Sequence, residues 1–430
     1  MNKIIKRISN YPVLITVISC TVFFFLPFKP KPFGDGEYHE GTIDLIEFIL
    51  NNFNGNVRVD KGLFTLFYYL LPYSLVYYFK SSALFYLAGA IFNCLATCIA
   101  VKYIFKTFDI IGFAAKTKFF IIALLSLFPI HIYYSYGILA EPAAFLIVAL
   151  LVYFWVKIVY YKTFSSKNLF ILALITVALI GVRPNLLPFA ILFIFLIAFV
   201  GINLKSKIMY IATLLCCAFL LFSAEKAISN TDGEFKKKIF RQQILWSRFE
   251  LRDEPFNWLP QHGQDEFASD DYLNNLKKRA ELDSIIETYN FDPTSYYLNY
   301  VLTDIVENPA LTLRQYSLKF FQAQSFVITP LMKSQKSPII KFGIHIFINS
   351  INLTLVLSSI LGIYLLYKSN QLVLLLPLLF LWGWSILYIL IFHSEQRYMF
   401  PSRPVLIFLS AFTFDAILRR VKSRQKIKFE

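Results

Sequence analysis

Acidic and imidazole side chains are concentrated in one short stretch near the start of the chain, Gly34-Asp35-Gly36-Glu37-Tyr38-His39-Glu40-Gly41. A carboxylate in such a cluster can take the proton from an attacking hydroxyl, provided that burial and nearby cations tune its pKa. In an extended segment Asp35, Glu37 and His39 would alternate on one face, an arrangement that also suits a divalent cation. A solvated loop is the simplest alternative, so the interpretation depends on what else the fold brings to this stretch.

Charged residues also occur at the ends of apolar segments, where few charges are expected. Glu141 precedes a proline, Arg183 precedes another, and one late segment carries several candidates together: Glu395, Arg397, Tyr398 and Arg403. An ionisable group costs roughly 3 kcal/mol at the bilayer centre, so each one invites a functional interpretation. Arginine matches phosphate oxygens bidentately and stays charged, which predicts binding of an anionic headgroup. Taken singly, such an arginine is an ordinary interfacial anchor, and a Glu-Pro pair is an ordinary helix start.

The composition is that of a membrane protein. Of 430 residues, 57% are hydrophobic and 16% are charged, and the mean hydropathy of +0.57 is too high for a soluble globular chain. The formal net charge is +15, but the basic residues lie mostly in short segments between apolar runs. That distribution is typical of cytoplasmic loops beside anionic lipid, so we expect membrane lipids as partners and no nucleic acid.

Apolar runs long enough to cross a bilayer, about 20 residues each, recur along the chain. They predict an all-α polytopic membrane protein with about ten transmembrane helices. The predicted spans are roughly 11–28, 82–104, 118–136, 142–161, 168–182, 185–203, 207–224, 343–366, 371–392 and 402–418.

The apolar run 62–79 is the difficult one, because it is long enough to cross but Lys80-Ser81-Ser82 would make a very tight return. If this run does not cross, the later basic clusters fall on the same side as the N-terminal bases, together with the basic tail. If it crosses, those clusters move outside, against the positive-inside bias. We therefore predict a pair of interfacial or re-entrant helices broken at Pro72, and we expect both termini in the cytoplasm.

This topology divides the chain into three parts. Residues 1–224 form an N-terminal membrane module whose first outer loop, 29–81, holds the acidic stretch and an amphipathic helix from Thr42. Residues 225–342 form an extracytoplasmic loop region with a helical pattern, which contains 16 of the 27 acidic residues. Residues 343–430 form the C-terminal spans and a basic cytoplasmic tail.

The same topology places the charged turns on one side of the membrane. Glu141, Arg183 and the late segment reach the outer face that carries Asp35, which predicts a polar cleft at the outer membrane boundary. Paired carboxylates and arginines suit glycosyl transfer. The carboxylates are useful at the oxocarbenium-like transition state, and the arginines neutralise the phosphate that departs. Because P-loop, GxSxG, HExxH and Rossmann fingerprints are absent, we expect the energy-rich donor to be carried by a lipid.

These residues resemble the motifs of polyprenyl-phosphate-dependent membrane glycosyltransferases of the GT-C fold, a group that includes protein O-mannosyltransferases and lipid A aminoarabinose transferases. The resemblance rests on the acidic stretch, on the Glu141-Pro142 and Arg183-Pro184 turns, and on the late segment from Glu395 to Pro404. The segment from Glu307 and the run 62–79 are similar to the family's return helix and juxtamembrane helices. In this chain Gly36 separates two acids that are adjacent in many relatives.

The resemblance implies transfer of a sugar from a polyprenyl-phosphate donor to an acceptor hydroxyl on a glycan, lipid or protein. It implies that Asp35 is the general base, with Glu37 supporting or replacing it. The remaining roles are donor-phosphate binding by Arg183 and Arg397, with Arg403 and Tyr398 close by, orientation of an arginine or a sugar hydroxyl by Glu141, and support by Glu395 and His39. No cofactor is expected, although a divalent metal stays open. The implied location is an inner (plasma) membrane, with the site on the extracytoplasmic face.

Two other functions fit the same residues. A surface-polysaccharide polymerase or ligase also uses polyprenyl-linked donors and outer-face arginines, and a diphosphate donor with a long glycan product would identify it. A flippase or transporter of lipid-linked sugars would carry charge near the bilayer midplane and paired half-helices. The charges of this chain gather at one edge instead.

Overall fold

The computed structural model describes residues 11–25, 33–34, 36–59, 62–127, 130–199, 203–229, 244, 248, 270–289, 291–324, 337–392 and 396–427. These parts of the chain are predominantly helical, and the two strands among them are two residues long. The helices and strands, in chain order, are α1 Pro12–Phe25, β1 Phe33–Gly34, α2 Gly36–Leu50, α3 Leu63–Ser74, α4 Ser82–Ile111, α5 Ala115–Leu127, α6 Ile130–Ser135, β2 Gly137–Ile138, α7 Glu141–Tyr160, α8 Ser166–Val182, α9 Leu187–Phe199, α10 Leu204–Ile228, α11 Asp270–Tyr289, α12 Pro293–Glu307, α13 Pro309–Gln324, α14 Pro338–Lys368, α15 Leu372–Ile391 and α16 Arg403–Ile427.

Six helices in the described part of the chain are long and apolar enough to cross a membrane, and these are α4, α7, α10, α14, α15 and α16. Shorter apolar helices cover Pro12–Val22, Ser166–Val182 and Pro184–Ile197. The prediction of a helical chain with membrane-spanning character is therefore confirmed at this level. The count of ten spans stays a prediction.

The amphipathic helix that the sequence predicts from Thr42 begins earlier, at Gly36. The backbone positions of Glu37 and His39 therefore belong to a helix, where residues two apart are separated by about 200° around the axis and do not share a face. The prediction of an extended segment, in which Glu37 and His39 would be aligned for a divalent cation, is therefore wrong. An acidic first turn is favourable at this position because the N-terminus of a helix carries partial positive charge.

The break predicted at Pro72 is also misplaced. α3 runs through Pro72 to Ser74, and a short 3-10 helix follows at Tyr77–Phe79. Proline removes one backbone N–H and hinders the preceding turn, but here it lies only two residues from the helix end. The interruption therefore comes after the proline and not at it.

The described chain separates into two compact units, of which the first comprises Met1–Asn230, Ser350–Trp382 and Phe400–Glu430. Within it α7 is mostly buried and packs against α4, α8 and α16, while α8 also packs against α10. These helices are apolar around most of their circumference, so their faces are buried either against one another or toward lipid.

A polar seam joins α14 to α16 within the first unit. Ser358 and Ser359 share hydrogen bonds of 2.8 and 3.0 Å with the hydroxyl of Ser410, which donates to the carbonyl of Leu355. The backbone of α16 approaches so closely at Gly362 that no side chain fits there. Small residues and hydroxyl groups of this kind are typical of contacts between membrane helices.

The second unit comprises Thr231–Asn349 and Gly383–Met399. Its helices α11 and α12 pack through an apolar cluster that includes Leu282, Ile286, Tyr297 and Val301. Its described residues are mostly helical, as the sequence pattern predicts.

Candidate functional site

A short parallel pair of strands joins the acidic stretch to the Glu141 turn. Gly34 lies opposite Ile138 in register. The residue after Gly34 is Asp35, which lies outside the described residues, and the third residue after Ile138 is Glu141. The backbone that leads into Asp35 is therefore paired with the strand that leads into Glu141.

The phenol of Tyr69 fixes the chain just before Glu141. Its hydroxyl donates to the carbonyl of Leu139 at 2.7 Å and accepts from the N–H of Leu139 at 3.0 Å. Asn93 donates through Nδ2 to the same hydroxyl at 3.1 Å and to the carbonyl of Gly137 at 2.8 Å. Burial raises the pKa of the Tyr69 hydroxyl, which therefore stays protonated and able to donate. Tyr69 and Asn93 supply the hydrogen bonds that a buried, irregular backbone requires.

Glu141 and Arg183 form a buried ion pair. The carboxylate oxygen Oε1 of Glu141 accepts from Nη2 of Arg183, and their side chains are 1% and 11% exposed. Glu141 lies in the first turn of α7, where the helix dipole favours a negative charge, and Arg183 follows the end of α8. A buried pair gains little net stability, yet losing one partner is costly. The pair therefore fixes two turns that are distant in sequence and orients the guanidinium.

The backbone before α3 packs closely against the end of α8, next to Arg183, and the contact is made by two glycines, Gly62 and Gly181. Gly62, which precedes α3, adopts a positive φ of 133°, and a Cβ there would lie 2.6 Å from the carbonyl oxygen of Gly181. Thr65, one turn further along, donates to the carbonyl of Val182 at 3.4 Å. α3 thus connects the Arg183 turn with the Leu139 backbone through residues on a single helix.

The late segment contacts the helices on either side of the Glu141 turn through Phe400. Its ring lies 4.7 Å from that of Tyr134 and 5.2 Å from that of Phe145, between centroids. Tyr134 precedes β2, and Phe145 lies one turn after Glu141. Arg403, three residues after Phe400, is 5% exposed and donates through Nη1 to Oδ1 of an asparagine in α14.

His39 lies in an aromatic pocket between α2, α3 and α4. Its imidazole is stacked on Tyr86 at 5.0 Å, and its Nδ1 is 3.0 Å from the hydroxyl of Tyr73. Phe85 meets the ring edge-on at 5.7 Å. Burial lowers the pKa of His39, and the nearby Glu40 opposes that shift only in part. The side chain is built into the packing between α2, α3 and α4, which favours a structural role.

The state of His39 predicts an acid-sensitive fold. The neutral ring stabilises the fold in full above the ordinary histidine pKa of about 6.5. That contribution is lost as the pH falls through the lowered pKa, because the unfolded chain binds the proton first. We expect the thermal stability of the purified protein to fall as the pH is lowered below about 6.5. His39→Phe, which keeps the aromatic packing and cannot take a proton, should show a smaller decrease, and equal decreases in both proteins would refute this assignment.

Several predicted site residues are not placed by the structure. Asp35 and Glu395 lie outside the described residues, as do the side chains of Glu37 and Arg397. Tyr398 belongs to the second unit, where its ring lies 5.1 Å from that of Tyr388. Among the described residues, no group of three or more His, Cys, Asp or Glu side chains is placed to hold a metal ion.

Sequence reasoning missed Tyr69 and Asn93. Both lie inside apolar runs, where one tyrosine among many gives no signal. The asparagine offered a partial signal, because a carboxamide within an apolar run predicts a hydrogen-bonded contact with another element.

In comparisons with known proteins, no family model matches this chain, and no curated protein matches it at a significant level. The function is therefore argued from the chemistry of the site. That site consists of the Gly34–Ile138 pairing, the Glu141–Arg183 ion pair and the Tyr69–Asn93 hydrogen bonds.

Proposed function

We propose that this protein is a membrane glycosyltransferase that moves a sugar from a polyprenyl-phosphate donor to an acceptor hydroxyl at the extracytoplasmic face. One observation carries the proposal. A buried ion pair, Glu141–Arg183, lies on the turn whose preceding strand is paired with Gly34, the neighbour of Asp35. The backbone next to Asp35 is thus paired with the segment that leads into the Glu141 turn, although the two are far apart in the chain. This pairing supports the proposal that a base and a phosphate-binding arginine serve one reaction.

In the proposed reaction Asp35 takes the proton from the acceptor hydroxyl. The acceptor oxygen forms a bond to the anomeric carbon as the bond from that carbon to the phosphate oxygen breaks. The electron pair leaves with the polyprenyl phosphate, so the reaction needs no redox cofactor and no nucleotide. Glu37 is the second candidate for the base, because it follows Asp35 by two residues at the start of α2.

Arg183 is the proposed partner of the donor phosphate. A guanidinium has five N–H donors, so one carboxylate can orient it while other donors reach phosphate oxygens. Glu141 then acts as the orienting group for Arg183. Arg403, which belongs to the same compact unit as Arg183, is the second proposed phosphate-binding cation. The donor-site roles that the sequence suggests for Arg397, Tyr398 and Glu395 stay predictions.

The finer topology belongs to the same proposal. Ten spans in a GT-C-like arrangement, with both termini in the cytoplasm of a bacterial-type inner membrane, put the acidic stretch and the Arg183 turn on the outer face. The distribution of basic residues supports this orientation. The acceptor would be a glycan, a lipid or a protein.

Asp35→Asn is the test of the catalytic assignment. Because α2 begins at Gly36, residue 35 precedes the helix, and Asn or Ser caps a helix about as well as Asp. Asp35→Asn and a second variant, Asp35→Ser, each remove the base and keep a residue type that is favoured before a helix. We therefore expect the rate of transfer to fall about 10²- to 10⁴-fold with unchanged thermal stability. The measurement is sugar transfer from a purified polyprenyl-phosphate sugar by the protein in nanodiscs.

Glu37→Gln is the matched control for the Asp35 variants. A large loss in Glu37→Gln with a small loss in Asp35→Asn would exchange the two roles. Wild-type rates in both variants would refute the catalytic assignment. Movement of the lipid-linked sugar across the bilayer without a covalent product would refute the proposed function as a whole.

A further inference from the structure

A buried carboxamide lies within the apolar helix α14. Asn352 is 1% exposed, and its Oδ1 accepts a hydrogen bond from Nη1 of Arg403. Its Nδ2 is also buried, and within the described part of the chain no hydrogen-bond acceptor reaches it. Buried donors in native proteins are nearly always paired, so an unpaired amide beside a buried cation calls for a ligand.

The orientation of this amide is determined by its neighbour. Arginine has only donors, so the carboxamide must turn its oxygen toward Arg403 and its NH₂ group away. The result is two buried side chains, Asn352 and Arg403, that together supply N–H donors. A cluster of donors around a cation suits an oxyanion such as a phosphate.

The surroundings of Asn352 favour a phosphate that is attached to a hydrocarbon chain. A stripe of exposed apolar residues runs along α14 from the position next to Asn352, comprising Leu353, Leu357, Ile360 and Tyr364. These residues recur at helical spacing and form one face of a membrane-crossing helix. A long isoprenoid chain could lie along this face while its phosphate reaches the buried donors.

We propose that Asn352 and Arg403 form an anion-binding pair that holds the phosphate of a polyprenyl phosphate, with Nδ2 of Asn352 as a direct hydrogen-bond donor. The identity of the lipid rests on the proposed function. The assignment of Asn352 does not follow from any motif in the sequence. It depends on the hydrogen bond from Arg403 to Oδ1 and on the Nδ2 group, for which the described part of the chain offers no acceptor.

Asn352→Asp tests this proposal, because it replaces only the NH₂ group of the side chain with an oxygen. The carboxylate keeps an acceptor for Arg403, removes the Nδ2 donor and repels an anion. We expect the affinity of the protein in nanodiscs for a polyprenyl monophosphate to fall roughly ten- to hundredfold, as for loss of a hydrogen bond to a charged group. Thermal stability should be kept, because the new ion pair with Arg403 replaces the old hydrogen bond. The corresponding polyprenol, which lacks the phosphate, should bind equally weakly to wild type and variant.

Two further variants and one further lipid complete the design. Ser410→Ala removes a satisfied hydroxyl from the same seam and should lower stability without changing affinity for the phosphate. If Asn352→Asp does not fold, Asn352→Ser, which keeps an acceptor and is smaller, decides in its place. Competition by phosphatidylglycerol as strong as that by polyprenyl phosphate would assign the site to membrane lipid and overturn the polyprenyl assignment.

An affinity of Asn352→Asp within twofold of wild type would overturn the inference and leave Asn352 as a packing residue. The binding measurement does not require sugar transfer. A protein that binds the lipid through Asn352 but transfers no sugar would therefore refute the proposed function and support this inference.

Discussion

Glu141→Ala is expected to destabilise the folded protein by about 3–5 kcal/mol, because it leaves the guanidinium of Arg183 buried without its carboxylate. Glu141 is 1% exposed and Arg183 is largely buried, so water cannot replace the lost interaction. The measurement is thermal or denaturant unfolding of the purified protein in detergent.

A double variant separates the structural part of this effect from the functional part. Replacing a buried ion pair with apolar residues of similar volume is often neutral or stabilising. Glu141→Leu combined with Arg183→Met should therefore recover most of the stability that Glu141→Ala loses. Transfer activity should be absent in the double variant, because the proposed phosphate-binding cation is gone. Recovery of both stability and activity would show that the ion pair has only a structural role, as a contact between two turns.

Glu141→Gln is the milder control. The amide keeps an acceptor for Arg183 but loses the charge, so the loss of stability should be smaller than in Glu141→Ala. If the three variants were equally stable, the ion pair would carry none of the energy assigned to it.

The sequence was sufficient to select Glu141 and Arg183 as candidates, because each is a charge at the end of an apolar run. It assigned Glu141 the role of orienting an arginine or a sugar hydroxyl, but it did not identify Arg183 as the partner. Two charges at helix ends can point in any direction around their helices, and the direction is set by how α7 and α8 pack. The parallel pairing of Gly34 with Ile138 was equally inaccessible, because two residues of strand carry no periodicity.

The local errors have a different origin. The start of α2 was missed because the apolar stripe begins at Ile43, whereas the helix extends back over the acidic residues to Gly36. Hydrophobic periodicity indicates where a helix is buried and not where its backbone hydrogen bonds begin. The roles of Tyr69 and Asn93 depend on contacts with backbone groups in another segment, which side-chain patterns do not reveal.

Gly62→Ala is expected to be the second damaging change in the site. Gly62 has a φ of 133° and a ψ of 122°, a conformation that only glycine adopts at low cost, and backbone strain there costs about 1–3 kcal/mol for other residues. The added Cβ would also lie 2.6 Å from the carbonyl oxygen of Gly181, and such crowding costs a further 1–3 kcal/mol or so. Because α3 must move away from the turn that carries Arg183, transfer activity should fall together with stability.

Gly55→Ala supplies the matched control for this prediction. Gly55 also has a positive φ, 115°, but a Cβ there meets no atom within 4 Å. Its substitution therefore carries the backbone strain without the crowding, and activity should stay near the wild-type level. If Gly55→Ala and Gly62→Ala lost equal stability and equal activity, the close approach to Gly181 would have no energetic consequence. A larger loss in Gly62→Ala would show that the contact between α3 and the end of α8 holds Arg183 in place.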